Sequence, residues 1–178
     1  RVDRRQRQMC IRDSFQEDRK VTDSALAFLP LMGATISVAP RPAVILKDKE
    51  KTEANERWGK TNPRSKRILI APGGGFPAKC WGNDRFSKLV GLLLDKSDHQ
   101  IRVIGSTEDK DRVCFARDNE NARRIRNCCG KLSLRQSAAL VSTADFVITN
   151  SSLTMHLAGT FERPVSYTHL TLPTIYSV

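Results

Sequence analysis

The segment Pro72-Gly73-Gly74-Gly75-Phe76-Pro77-Ala78-Lys79-Cys80-Trp81 carries the most chemistry per residue in this chain. Consecutive glycines let the backbone approach a ligand closely, their N–H groups can face phosphate oxygens, and the following lysine supplies a compact cation. The same residues would also suit a glycine-rich connection between a strand and a helix with Lys79 in solvent. No Gly-Lys-Ser/Thr follows at P-loop spacing. Gly73-x-Gly75-x-x-Ala78 matches the dinucleotide pattern literally, but Pro77 and Trp81-Gly82 delay the next helix to about residue 84. The second strand also ends in Gly105-Ser106 rather than an acid, so a nicotinamide or flavin role is disfavoured and no cofactor is expected.

Other polar residues divide by their surroundings. Asp109-Lys110-Asp111 has the Asp-x-Asp form of many metal-binding sugar-nucleotide enzymes. On a helix, however, positions i and i+2 point apart, so a solvated helix face is expected and no metal. Glu108, at the carboxyl end of the second strand, is better placed to accept hydrogen bonds from a ribose hydroxyl. His156 shares a helical face with Leu153 and Leu157, the pattern of a packed core histidine. Its place in the first turns after a strand end would also let it add to a helix N-terminal field that favours an anion such as diphosphate. Ser151 and Ser152 can cap that helix. Cys80, Cys114, Cys128 and Cys129 show no C-x-x-C spacing, so reduced thiols are expected instead of a zinc site or disulfides.

These residues need elements to position them, and the periodicity predicts strands alternating with helices. Ile68–Ala71 is an apolar run closed by the glycines, a buried-strand signature. Phe86, Leu89, Val90, Leu93 and Leu94 form one face of an amphipathic helix with Asn83 as its N-cap. Ile101–Ile104 reads as the second strand, a charged helix follows from about Asp109 to Arg124, and Ile125–Cys129 reads as a third strand. Ser133-Leu134-Arg135-Gln136 is a capping box opening a helix through Val141. Phe146–Thr149 is the fourth strand. Upstream, Ala25–Gly33 reads as a helix, Ala43–Leu46 as a strand, Lys49–Trp58 as a charged helix and Lys60–Lys66 as an exposed linker. Such alternation implies an α/β fold with a Rossmann-like parallel sheet, whose ligands sit at the carboxyl ends of strands.

The 178 residues hold 30 Lys and Arg against 19 Asp and Glu, a formal +11. That excess ordinarily points to nucleic acid or an anionic surface. Part of it lies in ends with an unusual relation. One permitted codon set for Arg4 to Ser14, read on the opposite strand, spells Val165-Ser166-Tyr167-Thr168-His169-Leu170-Thr171-Leu172-Pro173-Thr174. Residues 1–14 and 165–178 are therefore expected to be translated sequencing adapter flanking a fragment of a longer gene product. Residues 15–164 keep +8 but lack tyrosine and any basic-aromatic interleaving, so no nucleic-acid partner is expected. No run of about 18 uncharged apolar residues occurs, which excludes a helical membrane span.

The order Ala71-Pro72-Gly73 to Lys79-Cys80-Trp81, then Gly130-Lys131-Leu132-Ser133-Leu134, then Thr149-Asn150-Ser151-Ser152-Leu153-Thr154-Met155-His156-Leu157-Ala158 resembles glycosyltransferase family nine, the ADP-heptose lipopolysaccharide heptosyltransferases and their relatives. The resemblance covers roughly Ala25 to Pro164. It implies the C-terminal half of a GT-B enzyme: an interdomain approach and linker over 15–66, and a truncated nucleotide-sugar-binding domain over 67–164. It further implies metal-independent, inverting transfer from a nucleoside-diphosphate sugar such as ADP-heptose to a lipopolysaccharide-core or related glycan acceptor. The general base would lie in the absent N-terminal half.

On the same resemblance Gly73, Gly74, Gly75, Lys79, Ser151, Ser152 and His156 face the donor diphosphate and Glu108 the ribose. The family's Asp falls on Ser151 and its Gly on Leu153, which removes one carboxylate from the site. A cytoplasmic location, with peripheral contact to the inner-membrane surface, is the corresponding expectation. Two other classes compete: a nucleotide-binding module without turnover, and a basic nucleic-acid-binding domain. Salt separates them, because phosphate-backbone binding falls steeply with ionic strength.

Overall fold

A computed structural model describes residues 30, 33, 42–59, 62–77, 80–114 and 121–168. The chain divides into two units, Arg1–Pro42 and Ala43–Val178, and the elements below belong to the second. The helix predicted over Ala25–Gly33 falls almost wholly outside the described residues, as does Lys79.

Five parallel strands form one sheet: β1 (Arg67–Ala71), β2 (Gln100–Val103), β3 (Ile125–Asn127), β4 (Phe146–Asn150) and β5 (Val165–Thr168), in the order β3-β2-β1-β4-β5. This is the strand order of a doubly wound Rossmann-like sheet, with its topological switch point between β1 and β4. Alternation along β1 sends Ile68 and Ile70 into one core and Leu69 and Ala71 into the other, because a parallel sheet is covered on both faces. The first core packs under α2 (Asn83–Lys96) through Phe86, Val90 and Leu94, spaced at i, i+4 and i+8. The second packs under α1 (Asp48–Trp58), α4 (Leu134–Ser142) and α5 (Leu153–Thr160).

The predicted capping box forms as expected. Gln136 N donates to Ser133 Oγ at 3.2 Å, and Ser133 N donates to Gln136 Oε1 at 2.9 Å. α2 begins one residue earlier than an N-cap at Asn83 predicts, with Gly82 as N-cap at φ 108°, a left-handed conformation that a side chain would strain. Ala43–Leu46 is irregular chain instead of a strand: the Ile45 carbonyl accepts from the Arg135 guanidinium at 3.0 Å and joins no ladder. The continuous helix predicted over Asp109–Arg124 is also replaced. A 3-10 turn, Thr107–Asp109, and a single turn α3 (Asn121–Arg124) are the helical pieces among the described residues there. Asp109 turns back on Ser106 and ends the regular geometry.

Residues 43–66, read from the sequence as part of an approach and linker, belong to the same compact unit as the sheet. Leu46, Ala54 and Trp58 belong to the second core, and Trp58 Nε1 donates to Thr143 Oγ1 at 3.0 Å. The end of α1 is held by Arg102, a buried residue of β2 that donates to the Arg57 carbonyl at 2.9 Å and the Trp58 carbonyl at 2.5 Å. Its guanidinium also lies 5.3 Å from the Trp58 ring centroid. A cation suits the carbonyl-rich end of a helix. Burial lowers the Arg102 pKa only to about 10, so it keeps its charge at neutral pH.

The tail, expected to be adapter-encoded, contributes β5, in register with β4 from Val147↔Val165 to Asn150↔Thr168, and half-buried Val165 packs on the second core. No helix among the described residues is long and apolar enough to cross a membrane.

Candidate functional site

Glycines follow β1, and the chain can turn there only if both ends of the loop are tied down. Asn150, fully buried at the end of β4, does this with one side chain. Its Nδ2 donates to the Pro72 carbonyl at 2.6 Å, and its Oδ1 accepts from the Trp81 backbone N–H at 3.0 Å. The Trp81 ring then meets Phe86 edge-on at 5.2 Å, joining the loop to α2. Gly74 sits so close beneath that a Cβ would lie 3.0 Å from Cys80 Sγ and 3.7 Å from Asn150 Cβ. Close backbone approach, rather than an unusual dihedral, favours glycine there, since a Cβ would require Cys80 to shift.

A second tie runs from the end of β2. Asp109 is buried, and its Oδ2 accepts from both the N–H and the hydroxyl of Ser106 at 2.8 Å. Its Oδ1 lies 2.7 Å from Arg112 Nε, an ion pair without the alignment of a hydrogen bond. A Cβ on Gly73 would collide with the same carboxylate, and one on Gly105 would lie 2.7 Å from Oδ2. The solvated face expected for Asp109 is therefore corrected: this carboxylate holds two loops together, while Asp111 remains exposed. No group of three or more His, Cys, Asp or Glu among the described residues is arranged to hold a metal ion.

Between these ties the carboxyl ends of β1, β2 and β4 open on a cavity of about 470 Å³. Its polar lining includes Gly73, Gly74 and Gly75, Ser106, Glu108 and Arg112, and the start of α5 adds Ser152 and Thr154. Its apolar lining includes Leu132, Leu134, Leu153 and Leu157, of which Leu134 and Leu153 stay largely exposed. A cavity of mixed polar and apolar lining at a switch point has the composition of a nucleotide crevice.

Of the residues singled out in the sequence, the three glycines, Glu108 and Ser152 line this cavity. Ser151 and His156, expected to face the diphosphate, are not among its lining residues, and His156 is exposed. The cap also differs from expectation: Ser152 is the N-cap of α5 but makes no side-chain cap bond, its hydroxyl pairing with Thr149 Oγ1 at 3.1 Å. Lys79 lies outside the described residues. Cys80, Cys114, Cys128 and Cys129 are free thiols, as expected. Burial, with Asp109 and Cys128 nearby, pushes the Cys129 thiol up to about 12, so it stays neutral.

Sequence reasoning passed over Asn150 and Arg112 as site residues. A polar amide closing an apolar strand was the available signal for Asn150, because a buried amide must find partners. Arg112 carried none beyond its neighbourhood to Asp109.

The family model described as glycosyltransferase family 9 (heptosyltransferase) matches residues 31–166. Lipopolysaccharide heptosyltransferase 2 of Salmonella typhimurium is 31% identical over 107 residues, covering 57% of this chain and 30% of that protein. Its Escherichia coli K12 counterpart is 30% identical over 102 residues, covering 55% and 29%. Among solved structures, E. coli ADP-heptose lps heptosyltransferase II superposes with TM-score 0.62 at 25% identity, covering 75% of this chain and 41% of that one. The family 9 glycosyl transferase of Veillonella parvula gives 0.68 at 18% identity, covering 86% and 44%, and shows the fold alone. The chain thus spans about a third of the length of these curated relatives.

Proposed function

Because the chain belongs to glycosyltransferase family 9, we propose that it is the donor-binding half of a heptosyltransferase-like enzyme, which moves a sugar from a nucleoside diphosphate, with ADP-heptose the leading donor, to a lipopolysaccharide-core or related glycan acceptor. The observation that carries this reading is the crevice at the β1/β4 switch point, whose lining combines the glycine loop with four leucines. A diphosphate suits the glycine loop and a nucleobase the leucines.

In this reading transfer is inverting and metal-independent. The acceptor hydroxyl displaces the diphosphate from the anomeric carbon, and negative charge accumulates on the leaving oxygens. Backbone N–H groups of Gly73–Gly75, the start of α5 at Ser152 and the Lys79 ammonium stabilise that charge, the electrostatic form of catalysis. Glu108, exposed on the cavity lip, accepts from the ribose hydroxyls. The acceptor's proton goes to a general base outside this chain.

Residues 1–14 and 165–178 are, in the same proposal, adapter-encoded and foreign to the gene product, and the working enzyme stands at the cytoplasmic membrane face, where lipid-linked acceptors are presented. The chain by itself then binds nucleotide without transferring sugar.

Titration calorimetry with ADP, GDP and UDP tests the site. Lys79→Ala is expected to weaken ADP binding about tenfold or more, since a charge-assisted contact is worth roughly 1.5 to 3 kcal/mol. His156→Ala is expected to cost less, because His156 is exposed outside the cavity. Equal losses, or sugar transfer by this chain alone, would overturn the assignment.

A further inference from the structure

Arg112 stands where two cavities meet. It lines the crevice at the strand ends and also a shallower one formed by Pro77, Cys80 to Arg85 and the start of α2. Its Nε is ion-paired with Asp109 Oδ1 at 2.7 Å, outside hydrogen-bond alignment, and Asp109 is itself fixed by two hydrogen bonds from Ser106. The two terminal guanidinium nitrogens have no hydrogen-bond partner among the described residues, and about a third of the side chain remains accessible. A guanidinium drawn to a fixed carboxylate, with its terminal nitrogens still open, is a fork ready for the oxygens of a phosphate group, because the ion pair already meets part of the ordering cost of the long side chain.

We propose that Arg112 is an anion-binding residue of the crevice, held in place by Asp109 and presenting its terminal nitrogens to the diphosphate of the donor. The identity of the ligand rests on the functional reading above, but the oxyanion chemistry does not. Asp109 acts as a positioning residue: it neutralises part of the Arg112 charge yet holds the guanidinium at the cavity wall. Glu108 shares the same cavity and opposes an anion, so the preferred ligand places its phosphates toward Arg112 and its hydroxyls toward Glu108.

The test is titration calorimetry of the full chain with ADP, adenosine and inorganic pyrophosphate, comparing wild type, Arg112→Gln and Arg112→Lys, with thermal melts of each. Arg112→Gln is expected to lose about tenfold in ADP and pyrophosphate affinity while adenosine is unaffected, since two charge-assisted hydrogen bonds disappear. Arg112→Lys, which keeps the charge without the fork, is expected to fall between them and to hold the fold if the glutamine variant melts early. An equal loss for adenosine and ADP in the lysine variant, or pyrophosphate affinity unchanged in both variants, overturns the proposal. If wild type binds pyrophosphate but binds ADP no better, the nucleotide reading fails while the pyrophosphate arm still decides the role of Arg112. Absence of pyrophosphate and ADP binding in wild type overturns both.

Discussion

Asn150 controls the glycine loop from outside it, through a bond to a residue 78 positions earlier. Truncating this side chain leaves the buried Pro72 carbonyl and the part-buried Trp81 N–H without their partner. Asn150→Ala is expected to cost about 2 kcal/mol or more, from roughly 1 to 3 for each stranded group, with the part-buried N–H at the low end. Chemical denaturation reads the stability loss. Nucleotide affinity should fall as well, because the loop would no longer be held at both ends; an unchanged midpoint would show that the loop is fixed otherwise. Gly74 complements this device, its missing side chain being what lets the backbone pass beneath Cys80 and Asn150.

At the scale of elements, α1 is joined to α4 at both ends. Near its start Glu50 takes a two-point ion pair from Arg135, with Oε1 at 2.5 Å from Nε and Oε2 at 2.7 Å from Nη2. Near its finish Trp58 and Arg102 lock it to the sheet. Hydrogen bonds from Arg135 and from the Lys47 N–H lower the Glu50 pKa from 4.5 to about 2. A carboxylate whose pKa falls on folding stabilises the folded state above its unfolded value, so this contribution is complete above about pH 4.5 and is lost as the pH falls towards 2. Glu50→Gln is expected to be less stable than wild type at neutral pH, with the gap closing across that window and shrinking in high salt, since the pair is at the surface. Melting curves of both proteins over the acid range check this; a gap independent of pH would assign the effect to packing.

At the scale of the molecule, the tail separates origin from structural role. Val165-Ser166-Tyr167-Thr168 can be written as adapter sequence, yet it pairs with β4 along its whole length. The physical reason is compositional: Val, Tyr and Thr favour strands, and the exposed side of β4 offers unpaired backbone groups to whatever chain follows Pro164. Residues 169–178 lie outside the described set. A chain ending at Thr168 is expected to melt close to the full chain. One ending at Pro164 is expected to melt lower by about 3 °C or more, as about 1 kcal/mol corresponds to roughly 2 to 4 °C at this size. Equal melting of the two truncations would mean that β5 adds nothing to the sheet.

The sequence by itself determined the alternation of strands and helices, the Ser133–Gln136 cap, the amphipathic face of α2 and the placing of the glycine loop after a buried strand. Each of these depends on neighbours within a few positions, where backbone geometry and burial periodicity act directly. Only the tertiary structure decided that Asp109 is buried, that Asn150 closes the loop, that Arg112 turns into the crevice and that His156 turns out of it. The Asn150 bond spans 78 positions and exists only once β4 docks beside β1, while the burial of Asp109 and the exposure of His156 depend on which elements pack over them. A buried polar group must find its partner wherever the fold has brought one, and that requirement leaves no period in the sequence to read.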